Sequence, residues 1–197
     1  MLIGVLALQG GFAAHRRTLQ VLGADVREVR VRADLEGLDG LVLPGGESTT
    51  MMLGIAREQL AGPLRALAAS GIPVLGTCAG MIMLDRSHLN LMDIDCRRNA
   101  FGRQVRSFEQ DVEFAGLDGP PLRAIFIRAP WIESHGDGVE ILAELEGHPI
   151  AARQGALLAV AFHPELGADT RVHDAFLSAV ARIQARAVKA GLPPPRR

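Results

Sequence analysis

Cysteine is scarce in this chain: Cys78 and Cys96 are the only 2 among 197 residues. That excludes a disulfide framework, and with no Cys-x-x-Cys pair it offers no zinc ligand set. Such sparse use fits a reducing, cytoplasmic setting. Net charge is nearly absent, at −1, so neither a basic nucleic-acid footprint nor an acidic tail is indicated. Long apolar runs are missing too, so no membrane span is expected. Met1 to Leu8 is apolar but short, lacks a basic leader, and reads as a first strand and not a signal peptide. Gly10-Gly11 falls short of Gly-x-Gly-x-x-Gly, which leaves a Rossmann dinucleotide site unsupported. His15, His88, His135, His148 and His173 share no metal-ligand spacing, and the methionines read as core filler. No metal or organic cofactor is expected.

What the chain has is apolar residues, 48% of the total, enough for one domain with a sizeable core. No repeat or interdomain linker interrupts residues 1–190, and Pro193-Pro194-Pro195-Arg196-Arg197 reads as a frayed tail over 191–197. In the first half, strand patterns over Leu2–Leu8, Asp25–Val31, Gly40–Leu43 and Ile72–Leu75 alternate with helical patterns. The helical stretches are Phe12–Gly23, the segment after Ser48 (which is read as the cap), and Pro63–Ala69. This βαβ alternation predicts an α/β, three-layer, flavodoxin-like domain with a mostly parallel sheet. The second half adds short strands at Asn99–Phe114, Leu122–Ile127, Val139–Leu145, Pro149–Arg153 and Leu157–Phe162. Hairpin turns are expected at His135–Gly138 and Gln154-Gly155. Val172–Ala190 closes the chain as an amphipathic helix.

The chemistry concentrates at strand ends. Gly76-Thr77-Cys78-Ala79-Gly80, between two apolar runs, has the strand–turn–helix layout of a nucleophile elbow. A thiol there faces a helix N-terminus, which favours a thiolate. Phe162-His163-Pro164-Glu165 supplies a base and an orienting acceptor within four residues. The turn Leu43-Pro44-Gly45-Gly46-Glu47-Ser48 allows a backbone N–H to join that of Ala79 in an oxyanion hole. Glu47 opposes a neighbouring thiolate, so its presence points to recognition of a cationic group such as an α-amino group.

Five segments, Leu43–Thr50, Gly76–Gly80, Arg98–Gln104, Phe126–Pro130 and Phe162–Leu166, together resemble the glutaminase subunits of pyridoxal 5′-phosphate synthases. Those subunits are class I, triad-type glutamine amidotransferases. The resemblance runs from Leu6 to about Phe176. It implies that Cys78 attacks the amide carbon of L-glutamine to form a thioester. It implies that His163 protonates the departing ammonia and then activates water, while Glu165 orients His163. It assigns substrate binding to Gly46, Glu47, Ser48, Arg98, Ile127 and Arg128, and the oxyanion hole to Gly46 and Ala79. Gln9 is placed near the site and the partner interface. The implied partner is a separate synthase subunit that takes the ammonia, builds pyridoxal 5′-phosphate from ribose 5-phosphate and glyceraldehyde 3-phosphate, and activates the glutaminase on docking.

One departure stands out: Asp85 to Asn90 passes almost directly into Leu91–Asp95, so the stretch between the elbow helix and Arg98 is shorter than in that family. The matched chemical residues are all present. The residues alone also accommodate a stand-alone cysteine hydrolase acting on γ-glutamyl compounds, or a non-catalytic thiol-sensing module.

Overall fold

The computed structural model describes residues 1–101 and 107–189. Gly102, Arg103 and Gln104 of the Arg98–Gln104 motif, part of the expected strand Asn99–Phe114, and the expected tail lie outside the described residues.

Chain order runs β1 (Leu2–Leu6), α1 (Phe12–Val21), β2 (Asp25–Val29), a 3-10 turn (Arg32–Leu35), β3 (Gly40–Leu43), α2 (Ser48–Arg57), α3 (Ala61–Ala69), β4 (Val74–Thr77) and α4 (Ala79–Leu84). There follow β5 (Ile94–Arg97), β6 (Ser107–Val112), β7 (Leu122–Ile127), β8 (Trp131–His135), β9 (Glu140–Leu145), β10 (His148–Gln154), β11 (Leu157–Val160) and α5 (Arg171–Lys189). The main sheet has the order β2-β1-β3-β4-β11-β10-β9. β2, β1, β3, β4 and β11 pair in parallel, and β10 and β9 add antiparallel strands at one edge. β5 pairs with β8 and β6 with β7 as separate antiparallel ribbons.

Side-chain alternation along the strands explains the layering. A Cβ on Gly40 of β3 would meet Phe176 and Val180 of α5, whereas one on Gly76 of β4 would meet Leu84 of α4. Leu43 and Gly76 are register partners, so they share a face, and Gly40 looks to the other. Helices therefore cover both faces, and β1, β3 and β4 are buried along almost their whole length. Continuous apolar runs are what such doubly covered parallel strands require.

Local signals stop the elements where the sequence suggests. The first helix ends in a Schellman arrangement: Gly23 has φ +85°, its N–H donates to Gln20 O, and Ala24 N–H donates to Leu19 O. Gln154-Gly155 lies in the β10–β11 hairpin connection, as expected. His135–Gly138 is not a hairpin: it joins β8 to β9, which pair with different strands, β8 with β5 and β9 with β10. A second tight hairpin among the described residues is Glu146-Gly147 between β9 and β10, with φ of +53° and +77° as a type I′ turn needs. Trp131–His135 is a strand that the apolar pattern did not reveal, because only its first two residues are buried.

After the elbow, α4 is six residues long. Asp85 then accepts hydrogen bonds from the N–H groups of Ser87 and His88, and Arg86 pairs with Asp93 and Asp95 across the tight return. An aromatic cluster lies under the β6–β7 ribbon. Phe126 stacks on Phe108 at 4.7 Å and meets Phe101 at 5.6 Å and Phe162 at 5.7 Å. Phe162 immediately precedes His163, so this cluster anchors the segment that carries the histidine.

Candidate active site

The parallel sheet brings the distant motifs together. β3, β4 and β11 are adjacent, with Leu43 opposite Gly76 and Thr77 opposite Val160. Residues just past those ends, Gly45-Gly46, Cys78 and His163, must then share one rim. Two backbone bonds fasten it: Cys78 N–H donates to Val160 O, and His163 N–H donates to Ile125 O, both at 2.8 Å. Ligands in open α/β sheets bind at such carboxyl ends, where the connections part to opposite faces.

Cys78 sits between β4 and α4 with φ +49° and ψ −106°, the strained geometry of an elbow. Its side chain is nearly buried, and Sγ lies 3.8 Å from the carbonyl of Ile127. His163 Nδ1–H donates to Glu165 Oε1 at 2.7 Å, leaving Nε2 for the thiol. The imidazole pKa is pushed up to about 10: burial opposes protonation, but hydrogen bonds and negative charge at Cys78 and Glu165 outweigh it. Glu165, also buried, is held below the usual carboxylate range: burial works against ionisation, but the bond from His163 and the nearby imidazoles prevail.

Gly45 closes the other side. A Cβ there would come within 2.9 Å of His163 Nδ1 and 3.2 Å of Cys78 Cβ. The position has no room for a side chain. Gly45 O accepts the Gly11 N–H at 2.9 Å, and Gln9 Oε1 accepts the Glu47 N–H at 2.8 Å. The loops after β1 and β3 are thereby latched to each other beside the thiol.

The cavity at this rim measures about 340 Å³ and is lined by Gln9, Gly46, Glu47, Ser48, Cys78, Ala79, Arg98, Ile127, Arg128 and His163, with Ile82 and Asn99. Every site residue expected from the sequence lines it except Glu165, which stands behind His163. A larger recess of about 550 Å³ opens between α5 and the start of β11, but no cysteine or histidine lines it.

Several details depart from the sequence reading. Glu47, not Ser48, caps α2: its carboxylate accepts the N–H groups of Thr49 and Thr50 at 3.1 and 2.6 Å and the Thr50 hydroxyl at 2.7 Å. Those bonds, the Thr50 hydroxyl foremost, bring its pKa down to about 2. Arg98 Nη2 donates to Glu47 Oε1 at 3.1 Å and Nη1 to the Thr49 hydroxyl at 3.3 Å, so the arginine and the glutamate form a pair at the cavity mouth. Three non-glycine lining residues, Cys78, Asn99 and Arg128, have positive φ. Such strain collects at functional positions. Asn99 belongs to the Arg98–Gln104 segment that carries the resemblance, although the sequence assigns it no role. Two histidines read as ordinary, His15 and His173, are fully buried behind Glu165; a lone histidine in a helical pattern carries no mark of its tertiary neighbours.

Residues 5–182 match the SNO glutamine amidotransferase family. The chain is similar to the pyridoxal 5′-phosphate synthase subunit PdxT of Parafrankia sp., 53% identical over 187 residues that cover 90% of this chain and 92% of that protein. The subunit of the same name from Mycobacterium avium is 53% identical over 190 residues, covering 90% and 96%. A crystal structure of a glutamine amidotransferase superposes with a TM-score of 0.85 at 42% identity, covering 91% of this chain and 98% of that one. A putative GMP synthase component from Thermoplasma acidophilum shares the fold, with a TM-score of 0.74 at 19% identity over 96% and 98% of the two chains.

Proposed function

This chain belongs to the SNO glutamine amidotransferase family, and from that premise we propose that Cys78, His163 and Glu165 are the triad with which it hydrolyses L-glutamine. The activity is that of a glutamine amidohydrolase, the glutaminase subunit of a pyridoxal 5′-phosphate synthase, whose ammonia goes to the synthase partner. One observation carries the assignment of the triad: an elbow cysteine and a histidine held by a buried carboxylate meet at the rim of one cavity.

The chemistry follows from the atoms. With its pKa raised to about 10, His163 already holds the Cys78 proton on Nε2, and Sγ attacks the side-chain amide carbon of glutamine as the partner of that imidazolium. The tetrahedral oxyanion is met by the N–H groups of Ala79 and Gly46. The imidazolium returns its proton to the amide nitrogen, the C–N bond breaks, ammonia leaves and a thioester remains. His163 then removes a proton from water. The resulting hydroxide attacks the thioester and releases L-glutamate, and the departing sulfur is left paired with the protonated His163. Glu165 keeps Nδ1 protonated throughout, so that Nε2 is always the working nitrogen.

The head group of the substrate is zwitterionic, and the cavity mouth carries both complements. Glu47, with Gly46 and Ser48, receives the α-ammonium. Arg98 and Arg128 receive the α-carboxylate, with the Ile127–Arg128 backbone alongside. Arg98 is already aligned by Glu47, so substrate enters an ordered pair of charges. Gln9 links the two loops at this rim. A partner that docks on the rim and shifts this latch reaches the Gly45–Gly46 turn directly, which provides a route to activation.

The chain works in the cytoplasm as one amidotransferase domain over residues 1–190. Both cysteines are free, and no described helix is long and apolar enough to cross a membrane.

The test is a glutaminase assay of this chain with and without the synthase partner, paired with a glutamine-analogue thiol trap and mass spectrometry. The expected result is label on Cys78 alone and turnover raised by the partner. Label elsewhere, or equal turnover without the partner, overturns the triad or the activation respectively.

A further inference from the structure

Behind the carboxylate of Glu165 the structure holds a second, buried set of imidazoles. His15 is on α1 and His173 on α5, and both are completely inaccessible to solvent. His15 Nε2 lies 3.3 Å from Glu165 Oε2 and 3.1 Å from the Thr77 hydroxyl, while His15 Nδ1 lies 2.9 Å from His173 Nε2. Oε2 has no hydrogen-bond partner among the described residues; the polar atom the structure places beside it is His15 Nε2, at 3.3 Å.

Resting on the triad reading above, we propose that His15 and His173 are positioning residues that extend the triad inward: His15 holds the second oxygen of Glu165, and His173 holds His15 in the tautomer able to do so.

The tautomers follow from what each atom faces. Burial pushes both histidines below the ordinary histidine pKa, so both are neutral. A neutral imidazole has one N–H and one lone pair. If His15 carried its proton on Nδ1, its Nε2 lone pair would face the Glu165 anion in a dry interior, a costly repulsion. The proton therefore sits on Nε2, shared between Oε2 and the Thr77 oxygen. His15 Nδ1 is then an acceptor, and His173 Nε2–H must donate to it. That leaves His173 Nδ1 as a bare lone pair, and it is the one other buried side-chain atom without a partner among the described residues. One polarity thus accounts for both orphan atoms, with N–H groups directed from α5 through α1 onto Glu165 and from His163 onto its other oxygen. The groups facing His15 are Glu165, His163, His173 and Thr77.

The consequence is mechanical as well as electrostatic. Glu165 is pinned at both oxygens, so its plane, and with it the His163 ring, cannot swing. α1 and α5 are thereby joined to the triad on the sheet face opposite α4.

The experiment uses the chain assembled with its synthase partner and compares His15→Phe, His15→Gln, His173→Phe and His173→Gln. A glutamine amide N–H takes the place of imidazole Nε2–H, and a phenyl ring does not. Both phenylalanine variants should lower kcat about 10- to 100-fold, the loss typical of an outer-shell partner. KM should stay within about twofold, and the pH–rate profile should shift, since an unpinned Glu165 supports His163⁺ less well. Both glutamine variants should recover most of the rate. In a Glu165→Gln background the further loss from His15→Phe should nearly vanish, because the path through the carboxylate is already cut. Where His15→Phe does not fold, the same comparison at His173, farther from the carboxylate, decides. Phenylalanine variants that keep kcat and the pH profile, or glutamine variants no better than phenylalanine, overturn the proposal. Cys78→Ala run in parallel separates the readings: its full activity would remove the triad itself, whereas its inactivity beside an unaffected His15→Phe removes only the inward extension.

Discussion

His163 Nδ1 stands 2.7 Å from Glu165 Oε1 although only Pro164 separates the two residues. The proposed base and its orienting carboxylate are thus set within one turn of chain, with the proline fixing φ between them. The pair's orientation relative to Cys78 comes from elsewhere, through the His163 N–H bond to Ile125 O and the packing of Phe162 on Phe126.

That division predicts how Glu165 variants behave. Glu165→Gln keeps the shape but allows the wrong imidazole tautomer, and kcat should fall about 10²- to 10⁴-fold, as when the acid of a comparable triad is made an amide. KM should change little. Steady-state kinetics in the assembled complex measure this, and a loss expressed mainly in KM would assign Glu165 to substrate binding.

Gly45 offers a steric test. Its backbone is not in a left-handed conformation, so alanine is refused only by the room left beside His163 and Cys78. Gly45→Ala should displace the imidazole and cost about 10²-fold in kcat, the usual penalty for a misplacement of about 1 Å. Gly62→Ala, where a Cβ meets nothing within 4 Å, is the control, with normal turnover and a melting temperature equal or slightly higher.

Arg98 pairs with Glu47 in solvent, and exposed pairs contribute little to folding. Arg98→Ala should therefore move Tm by less than about 3 °C. It should raise KM for glutamine by roughly 10-fold or more, the size of one lost charge-assisted bond. A large fall in Tm with unchanged KM would make the pair structural instead.

Stability should depend on pH through the buried imidazoles. The pKa of His15 lies below its ordinary value and that of His173 is down to about 3, whereas in the unfolded chain each titrates near 6.5. Below pH 6.5 the unfolded state thus binds more protons, and stability falls as pH drops. For His173 the slope approaches about 1.4 kcal/mol per pH unit, and His15 adds to it in the same direction. His163 is raised, so its contribution is complete below 6.5 and is lost only as pH rises through about 10. Denaturant midpoints between pH 6.5 and 5, above the range where carboxylates titrate, should show this slope. His173→Gln should flatten it by about one proton, and an unchanged slope would mean that His173 is protonated or exposed.

The sequence alone picked out the residues that the fold gathers at one rim and the strands that precede them. Cys78, His163 and Gly46 each follow a continuous apolar run, and such runs specify parallel strands whose ends lie side by side. Local signals were equally readable, as Gly23 at the end of α1 illustrates. What only the tertiary structure decided was partnership between distant polar groups. The capping of α2 by Glu47 instead of Ser48 depends on where Thr50 and Arg98 come to lie. The ribbon that includes Trp131–His135 is half exposed and lacks a period. His15 and His173, 158 residues apart, show nothing in their own neighbourhoods of their convergence on Glu165. Periodicity reports how a segment meets the core as a whole, whereas a hydrogen bond between two helices depends on the angle and distance at which the folded sheet holds them.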